Sequence, residues 1–203
     1  MTDLKTPINP VPVAVFISGN GSNLQALIDY EVQTPSCPYE IAVVVSNKEK
    51  AFGLQRAKDA DIPTLVVNHK AYETREAFEK KIIDLLTDFS VEAIALAGFM
   101  RVLSPFFVHF YAQRILNLHP SLLPLFPGLH AVEQALEAKV TESGCTVHVV
   151  DTGVDTGPMV AQARVPVLES DTADTLHERI HQAEHELYPT ALSSFCYNIL
   201  QDD

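Results

Sequence analysis

The sequence feature that most constrains the fold is the continuous apolar run Val13-Ala14-Val15-Phe16-Ile17, followed at once by a glycine-rich turn and a helical pattern. Five successive apolar residues suit a strand buried on both faces of a parallel sheet, because an antiparallel strand with one wet face would alternate. Ser18-Gly19-Asn20-Gly21-Ser22-Asn23 then leads into Leu24, Leu27 and Ile28 at helical spacing. The same theme recurs. Ile41 to Val45 reads as a second buried strand with a helix over 51–60, and Thr64 to Val67 as a short third one. Phe78, Ile82, Leu85 and Phe89 then mark an amphipathic helix over 72–89, and Glu92 to Ala97 a further strand. Strands alternating with helices predict an α/β fold of right-handed βαβ units around a mostly parallel sheet.

The second half continues with a strand over 115–119, a helix over 130–138, and strands over 144–151 and 159–165. Asp171 with Asp174 three residues on resembles a capping box for a long helix carrying Leu176, Ile180, Ala183 and Leu187. Residues 1–12 hold three prolines and no periodicity, so a loose leader is expected there and a single domain over 13–203.

A formal charge of -12 argues against a general binder of nucleic acid or of anionic membranes, since both would be repelled away from a local basic patch. Cys37, Cys145 and Cys196 show neither C-x-x-C pairing nor zinc spacing, which fits reduced thiols and no metal. With no basic-then-apolar signal at the start and no run long enough to span a bilayer, a cytoplasmic protein is expected.

Asn117-Leu118-His119-Pro120-Ser121-Leu122-Leu123-Pro124 is the stretch with the clearest chemical content. On a strand, period-two alternation points Asn117 and His119 to the same side, and Pro120 ends the regular pairing. An amide NH2 and an imidazolium can both donate to an oxyanion, which suits acyl transfer; a strand end with a surface histidine is the plainer alternative. The turn at Gly21, Ser22 and Asn23 can cap its own helix or cradle a phosphate on free backbone N–H groups. Gly98 to Pro105 leaves the end of a parallel strand, where open α/β sheets bind ligands, although Phe99, Met100 and Leu103 also suit the core. His148 shares a strand face with Thr146 and reads equally as a hydrogen-bonded strand histidine or a catalytic one. Asp155, between glycine-containing turns, can cap its own loop or pair with His119 and keep it a proton donor. Glu184 lies with His177, His181 and Tyr188 along one flank of the last helix, a position more often solvated.

Taken together, 18–23, 96–101, 117–124, 127–130 and 155–158 resemble, in that order, the phosphoribosylglycinamide formyltransferases among the folate-dependent formyltransferases. That resemblance implies a Rossmann-like three-layer formyltransferase fold. It implies formyl transfer from 10-formyltetrahydrofolate, as co-substrate, to the amine of phosphoribosylglycinamide in purine biosynthesis, with no metal. By the same likeness, Gly21, Ser22 and Asn23 would hold the ribose phosphate and Glu184 the glycinamide or ribose end. Met100, Arg101, Val102 and Leu103, with Val150, Asp151 and Val154, would line the folate pocket. Asn117 and protonated His119 would stabilise the oxyanion, Asp155 would hold His119 charged, and His148 with Thr146 would support Asp155. A monomer or homodimer is expected, with no nucleic-acid or membrane partner. Two features depart from the pattern: the chain stops soon after the last helix, and His181 stands where an amide side chain is usual. A formyltetrahydrofolate hydrolase with the same three residues would have no ribose phosphate to hold, and a non-catalytic binding module would be expected to lack one of the three. A dinucleotide-binding dehydrogenase would need an acidic residue within 43–47, where none stands.

Overall fold

The computed structural model describes residues 9–202. Its centre is a seven-stranded sheet in the order β3-β2-β1-β4-β5-β6-β7, with β1 at Val11–Ile17, β2 at Tyr39–Ser46, β3 at Thr64–Val66 and β4 at Ala93–Leu96. β5 spans Ile115–His119, β6 Glu142–Val149 and β7 Met159–Pro166. β1 to β5 run parallel, while β6 pairs antiparallel with β5 and β7 antiparallel with β6. The mostly parallel α/β sheet expected from the alternation is therefore present.

Why the first run is apolar throughout is visible in its two faces. Val13, Val15 and Ile17 join Leu24 and Leu27 of α1 (Ser22–Gln33) and Tyr188 and Leu192 of the last helix, while Ala14 and Phe16 face the opposite way. That second face packs on Phe78, Ile82 and Leu86 of one helix and Phe107 of another, so helices cover the sheet on both sides. Each such side chain, fully withdrawn from water, contributes roughly 1.5–3 kcal/mol.

The remaining helices are α2 (Gly53–Asp59), α3 (Arg75–Leu86), α4 (Pro105–Phe110), α5 (Ala131–Glu137) and α6 (Ala173–Asp202). Several boundaries differ from the sequence reading, each for a local reason. β1 starts at Val11, which is buried and donates its N–H to Pro38 O at 2.9 Å, so the chain is committed to the sheet two residues before Val13; residues 1–8 of the leader lie outside the described residues. Thr74 caps α3 by accepting from Ala77 N, which leaves Tyr72 outside the helix, and a single 3-10 turn over Thr87–Phe89 ends in the left-handed Ser90. The segment after Gly98 to Pro105 also holds a helix that the sequence reading does not include: Ser104 caps α4 and Pro105 opens it.

The cap of α6 also differs. Thr172 and Thr175 bond reciprocally, Thr172 N donating to Thr175 Oγ1 at 3.0 Å and Thr175 N to Thr172 Oγ1 at 3.3 Å. Asp171 instead receives both guanidinium nitrogens of Arg179 at 2.7 and 3.0 Å. Further along, the buried Tyr188 hydroxyl lies 3.1 Å from Leu96 O and 3.4 Å from Leu116 O, docking α6 under the ends of β4 and β5. Removing that hydroxyl deletes a buried hydrogen bond between α6 and the strand carbonyls. Tyr188→Phe should therefore lower unfolding stability by about 1 kcal/mol, read as a fall in urea midpoint at unchanged slope.

Candidate active site

Strand pairing builds the polar cluster. In the β5–β6 register, Asn117 faces His148 and His119 faces Thr146, so four polar side chains occupy neighbouring positions of one sheet face. Leu96 is paired to Asn117 from the other side, which starts the Gly98–Ser104 loop beside them. Into this cluster the loop after β6 delivers Asp155, whose backbone is left-handed at φ 54°, a conformation Asp tolerates better than most residues.

Two hydrogen-bond donors and two imidazole nitrogens surround the Asp155 carboxylate. Gly128 N donates to Oδ2 at 2.8 Å, and His119 Nδ1 lies 3.3 Å from the same oxygen. Asn117 Nδ2 lies 3.5 Å and His148 Nε2 3.4 Å from Oδ1. Asn117 Nδ2 also lies 3.1 Å from His148 Nε2, and His148 Nδ1 lies 3.1 Å from Val149 O. The other nitrogen of His119 sits 2.8 Å from Phe126 O. Both ring nitrogens of His119 thus lie near acceptors, Nε2 within hydrogen-bond distance of Phe126 O and Nδ1 within ion-pair distance of Asp155. Burial pushes the Asp155 carboxyl up, but the His148 imidazole, the Gly128 N–H and the charge of His119 outweigh it and hold the group below its ordinary value.

Thr146 touches none of these three. Its hydroxyl donates to Ser121 O at 2.7 Å and accepts from Leu123 N at 3.1 Å and Gln162 Nε2 at 2.9 Å, bracing the turn after His119. Asp151 takes the capping role weighed for Asp155, accepting from Gly153 N at 3.0 Å and Thr156 Oγ1 at 2.7 Å.

The glycine turn is tied to α6 and does not cap itself. Gly21 is the N-cap of α1 at φ 74°, no side chain bonds the first-turn N–H groups, and a Cβ at Gly21 would meet Gly53 Cα at 2.6 Å. Ser22 Oγ lies 2.6 Å from His181 Nε2, Asn23 Nδ2 donates to Glu184 Oε2 at 3.0 Å, and His181 Nδ1 lies 2.7 Å from the same Oε2. Glu184 is buried, not solvated. Arg56 of α2, which sequence reasoning passed over, fixes the turn from outside with its Nε 3.0 Å from Asn20 O and a second nitrogen 3.0 Å from Asn20 Oδ1.

The Gly98–Ser104 loop is anchored at both ends. Ser18 Oγ accepts from Met100 N at 2.9 Å and donates to Asn47 Oδ1 at 2.6 Å; Ser104 donates its N–H to buried Glu79 at 2.7 Å and its hydroxyl to the same carboxylate. Burial pushes the Glu79 carboxyl up. Between these anchors Met100, Arg101 and Val102 are exposed, whereas Leu103 turns into the core beside Phe107. Val154 is exposed at the tip of the Asp155 loop, and Val150 is partly buried against the same core cluster as Leu103. Among the described residues no group of His, Cys, Asp and Glu could hold a metal ion, and no helix is long and apolar enough to cross a membrane.

A mostly parallel sheet carrying an amide, two imidazoles and a carboxylate on one strand pair and the loop after it, with a helix start that has no side-chain cap, is an α/β protein with groups able to donate to a developing oxyanion. The formyl transferase family pattern matches residues 11–192, and the chain belongs to that family. It is 46% identical over 183 residues to the phosphoribosylglycinamide formyltransferase of Escherichia coli (strain K12), covering 90% of this chain and 86% of the relative. The trifunctional purine biosynthetic protein adenosine-3 of Drosophila pseudoobscura pseudoobscura is 54% identical over 182 residues, which is 89% of this chain but 13% of that protein's length. Among solved structures, glycinamide ribonucleotide transformylase 1 from Symbiobacterium toebii superposes with a TM-score of 0.90 at 44% identity, covering 93% of this chain and 89% of the other.

Because the Asp155 carboxyl is held low, its contribution to stability is fully present above the unfolded carboxylate value of roughly 4 and is lost as pH falls through the lowered native value. Asp155→Asn should therefore flatten the acid limb of a stability-against-pH curve measured by urea midpoints. An unchanged acid limb would show that the carboxylate is not held by these donors.

Proposed function

We propose that the chain transfers the formyl group of 10-formyltetrahydrofolate to the amine of 5'-phosphoribosylglycinamide, giving N-formyl-phosphoribosylglycinamide and tetrahydrofolate in de novo purine biosynthesis. The observation that carries this reading is the convergence of Asn117, His119, His148 and Gly128 N on the Asp155 carboxylate, in a sheet whose first strand leads into a helix start without a side-chain cap. It is supported by family membership and by the similarity to named phosphoribosylglycinamide formyltransferases.

The roles follow from chemistry. The first-turn N–H groups of α1 with Ser22 and Asn23 receive the ribose phosphate, and Glu184 receives hydroxyl or amide donors of the same substrate. Exposed Met100, Val102 and Val154 offer an apolar bed suited to a flat ring system, with Arg101 free for an anionic tail and the Val150 and Asp151 segment supporting one side. The substrate amine forms a C–N bond to the formyl carbon, and the negative charge that develops on the formyl oxygen is met by Asn117 Nδ2 and the His119 imidazolium, the substrate displacing the contacts these donors make to His148 Nε2 and Phe126 O in the free protein. Asp155 keeps His119 charged and accepts the proton that leaves the attacking amine, directly or through a water. His119 returns a proton toward the departing folate nitrogen as its C–N bond breaks, so the donor leaves neutral. No covalent enzyme intermediate is required. Because α1 and β5 both anchor in one sheet, the phosphate end and the reacting carbon are held at fixed separation. The expected setting is cytoplasmic, as a monomer or homodimer.

The test is a spectroscopic assay of 10-formyltetrahydrofolate consumption with and without phosphoribosylglycinamide. Consumption should require the amine and should fall about a hundredfold or more in turnover in Asn117→Ala and His119→Ala. Asp155→Asn should lower turnover far more than affinity for either substrate. Loss of the formyl group without the amine would instead indicate a hydrolase, and loss of binding with chemistry intact would overturn the role given to Asp155.

A further inference from the structure

Ser22, His181 and Glu184 form a relay whose central imidazole has no part in the formyl-transfer roles given above. Ser22 Oγ sits 2.6 Å from Nε2 of His181, and Nδ1 of the same ring sits 2.7 Å from Glu184 Oε2. Glu184 is buried and also receives Asn23, so its position is fixed from two sides. With Nδ1–H donating to Glu184, a neutral ring offers only a lone pair at Nε2. The short contact must then be Ser22 O–H donating to the ring, which consumes the one proton the hydroxyl has. A charged ring reverses that bond, Nε2–H donating to Ser22 Oγ, and the hydroxyl proton becomes free.

We propose that His181 is a proton-operated switch for phosphate, in which ring protonation turns Ser22 around so that its hydroxyl donates to a bound phosphomonoester at the start of α1. The inference rests on the phosphate role given to the Ser22 turn. In the charged state the ligand gains one hydroxyl donor, a positive charge behind it, and the uncapped N–H groups together. In the neutral state it keeps only the N–H groups.

The groups around His181 do not duplicate this function. From α1 come Ser22 and Asn23, neither of which titrates in this range. From α2 comes Arg56, committed to Asn20 and to Gln25 Oε1 at 3.2 Å. On α6 itself, His177 lies 5.7 Å away between ring centroids and His185 4.5 Å away. Burial pushes His185 down and the charge of His181 pushes it further, so His185 does not supply the charge. The Glu184 hydrogen bond raises His181 above the ordinary histidine value against the opposing effect of burial. Its charged form is therefore full in mildly acidic solution and is lost as pH rises through the raised value.

The test is isothermal titration of the intact protein with ribose 5-phosphate across about pH 7 to 9, in buffers of different ionisation enthalpy. A phosphomonoester, with its second ionisation near 6, is already dianionic at about pH 8, so any proton taken up there belongs to the protein. The wild type should take up a fraction of a proton on binding at that pH and lose about tenfold in affinity toward the alkaline end. His181→Gln should show neither effect. His181→Lys, permanently charged, should bind without proton uptake and with little loss of affinity. Equal proton uptake in wild type and His181→Gln, or an affinity ratio between them that does not change with pH, would overturn the switch. Failure of the wild type to bind would overturn it together with the phosphate role of the turn. Binding with proton uptake but without formyl transfer would leave the switch standing and overturn only the activity proposed above.

Discussion

The Asp155 carboxylate is the point on which three distant chain segments depend. It gathers His119 and Asn117 from β5, His148 from β6 and the Gly128 N–H from the loop after the Pro-rich turn. A half-buried carboxylate is costly unless it is hydrogen-bonded, and this one is surrounded. The same requirement explains the left-handed backbone at Asp155, since an extended residue there would carry the carboxylate along the loop and away from the strand face. Asp151 meanwhile caps the loop, so the geometry that brings Asp155 into the cluster is held by a second acid and not by Asp155 itself.

Much of the fold was legible because burial on two faces leaves an unmistakable composition. Val13 to Ile17 could hardly be anything but a central strand, and its neighbours follow from the same rule. Asn117 and His119 were legible because strand alternation is a strict geometric period. Side chains acting across distant elements were not. Glu184 and His181 lie on a polar helix flank, and periodicity cannot distinguish a flank facing water from one facing the start of α1. Arg56 binds Asn20 through both its backbone and its side-chain oxygen across 36 positions of sequence, and Phe126 receives His119 through its carbonyl, so no local pattern marks either contact. Leu103 suits both the core and, by the family resemblance, the folate pocket; the anchor at Ser104 turns its side chain toward the core cluster.

Two loops that form different walls of the site share one anchor. Ser18 opens the glycine turn and its hydroxyl also accepts the Met100 N–H, while its own N–H donates to Gly98 O at 3.1 Å. The turn proposed to receive a phosphate and the loop proposed to offer an apolar surface are thereby cross-linked at their roots. Each leaves groups without protein partners away from that anchor: the first-turn N–H groups of α1, and the exposed Met100 to Val102. Precision of that kind is needed when both reactants must be brought to bonding distance, because a displacement of about 1 Å can cost a hundredfold in rate.

The long helix α6 extends this coupling through the other side of the sheet. His181 and Glu184 meet the glycine turn, and one helical turn beyond Glu184 the Tyr188 hydroxyl reaches the carbonyls of Leu96, which pairs with Asn117, and of Leu116, which precedes it. A single element therefore contacts both the glycine turn and the strand pair that carries Asn117. Movement of α6 relative to the sheet would strain the Tyr188 bonds and the Asn23–Glu184 bond together, so neither end can relax alone. Polar contacts at both ends of an apolar seam fix position along the helix axis, which apolar packing by Leu176, Ile180 and Leu192 would constrain less sharply on its own.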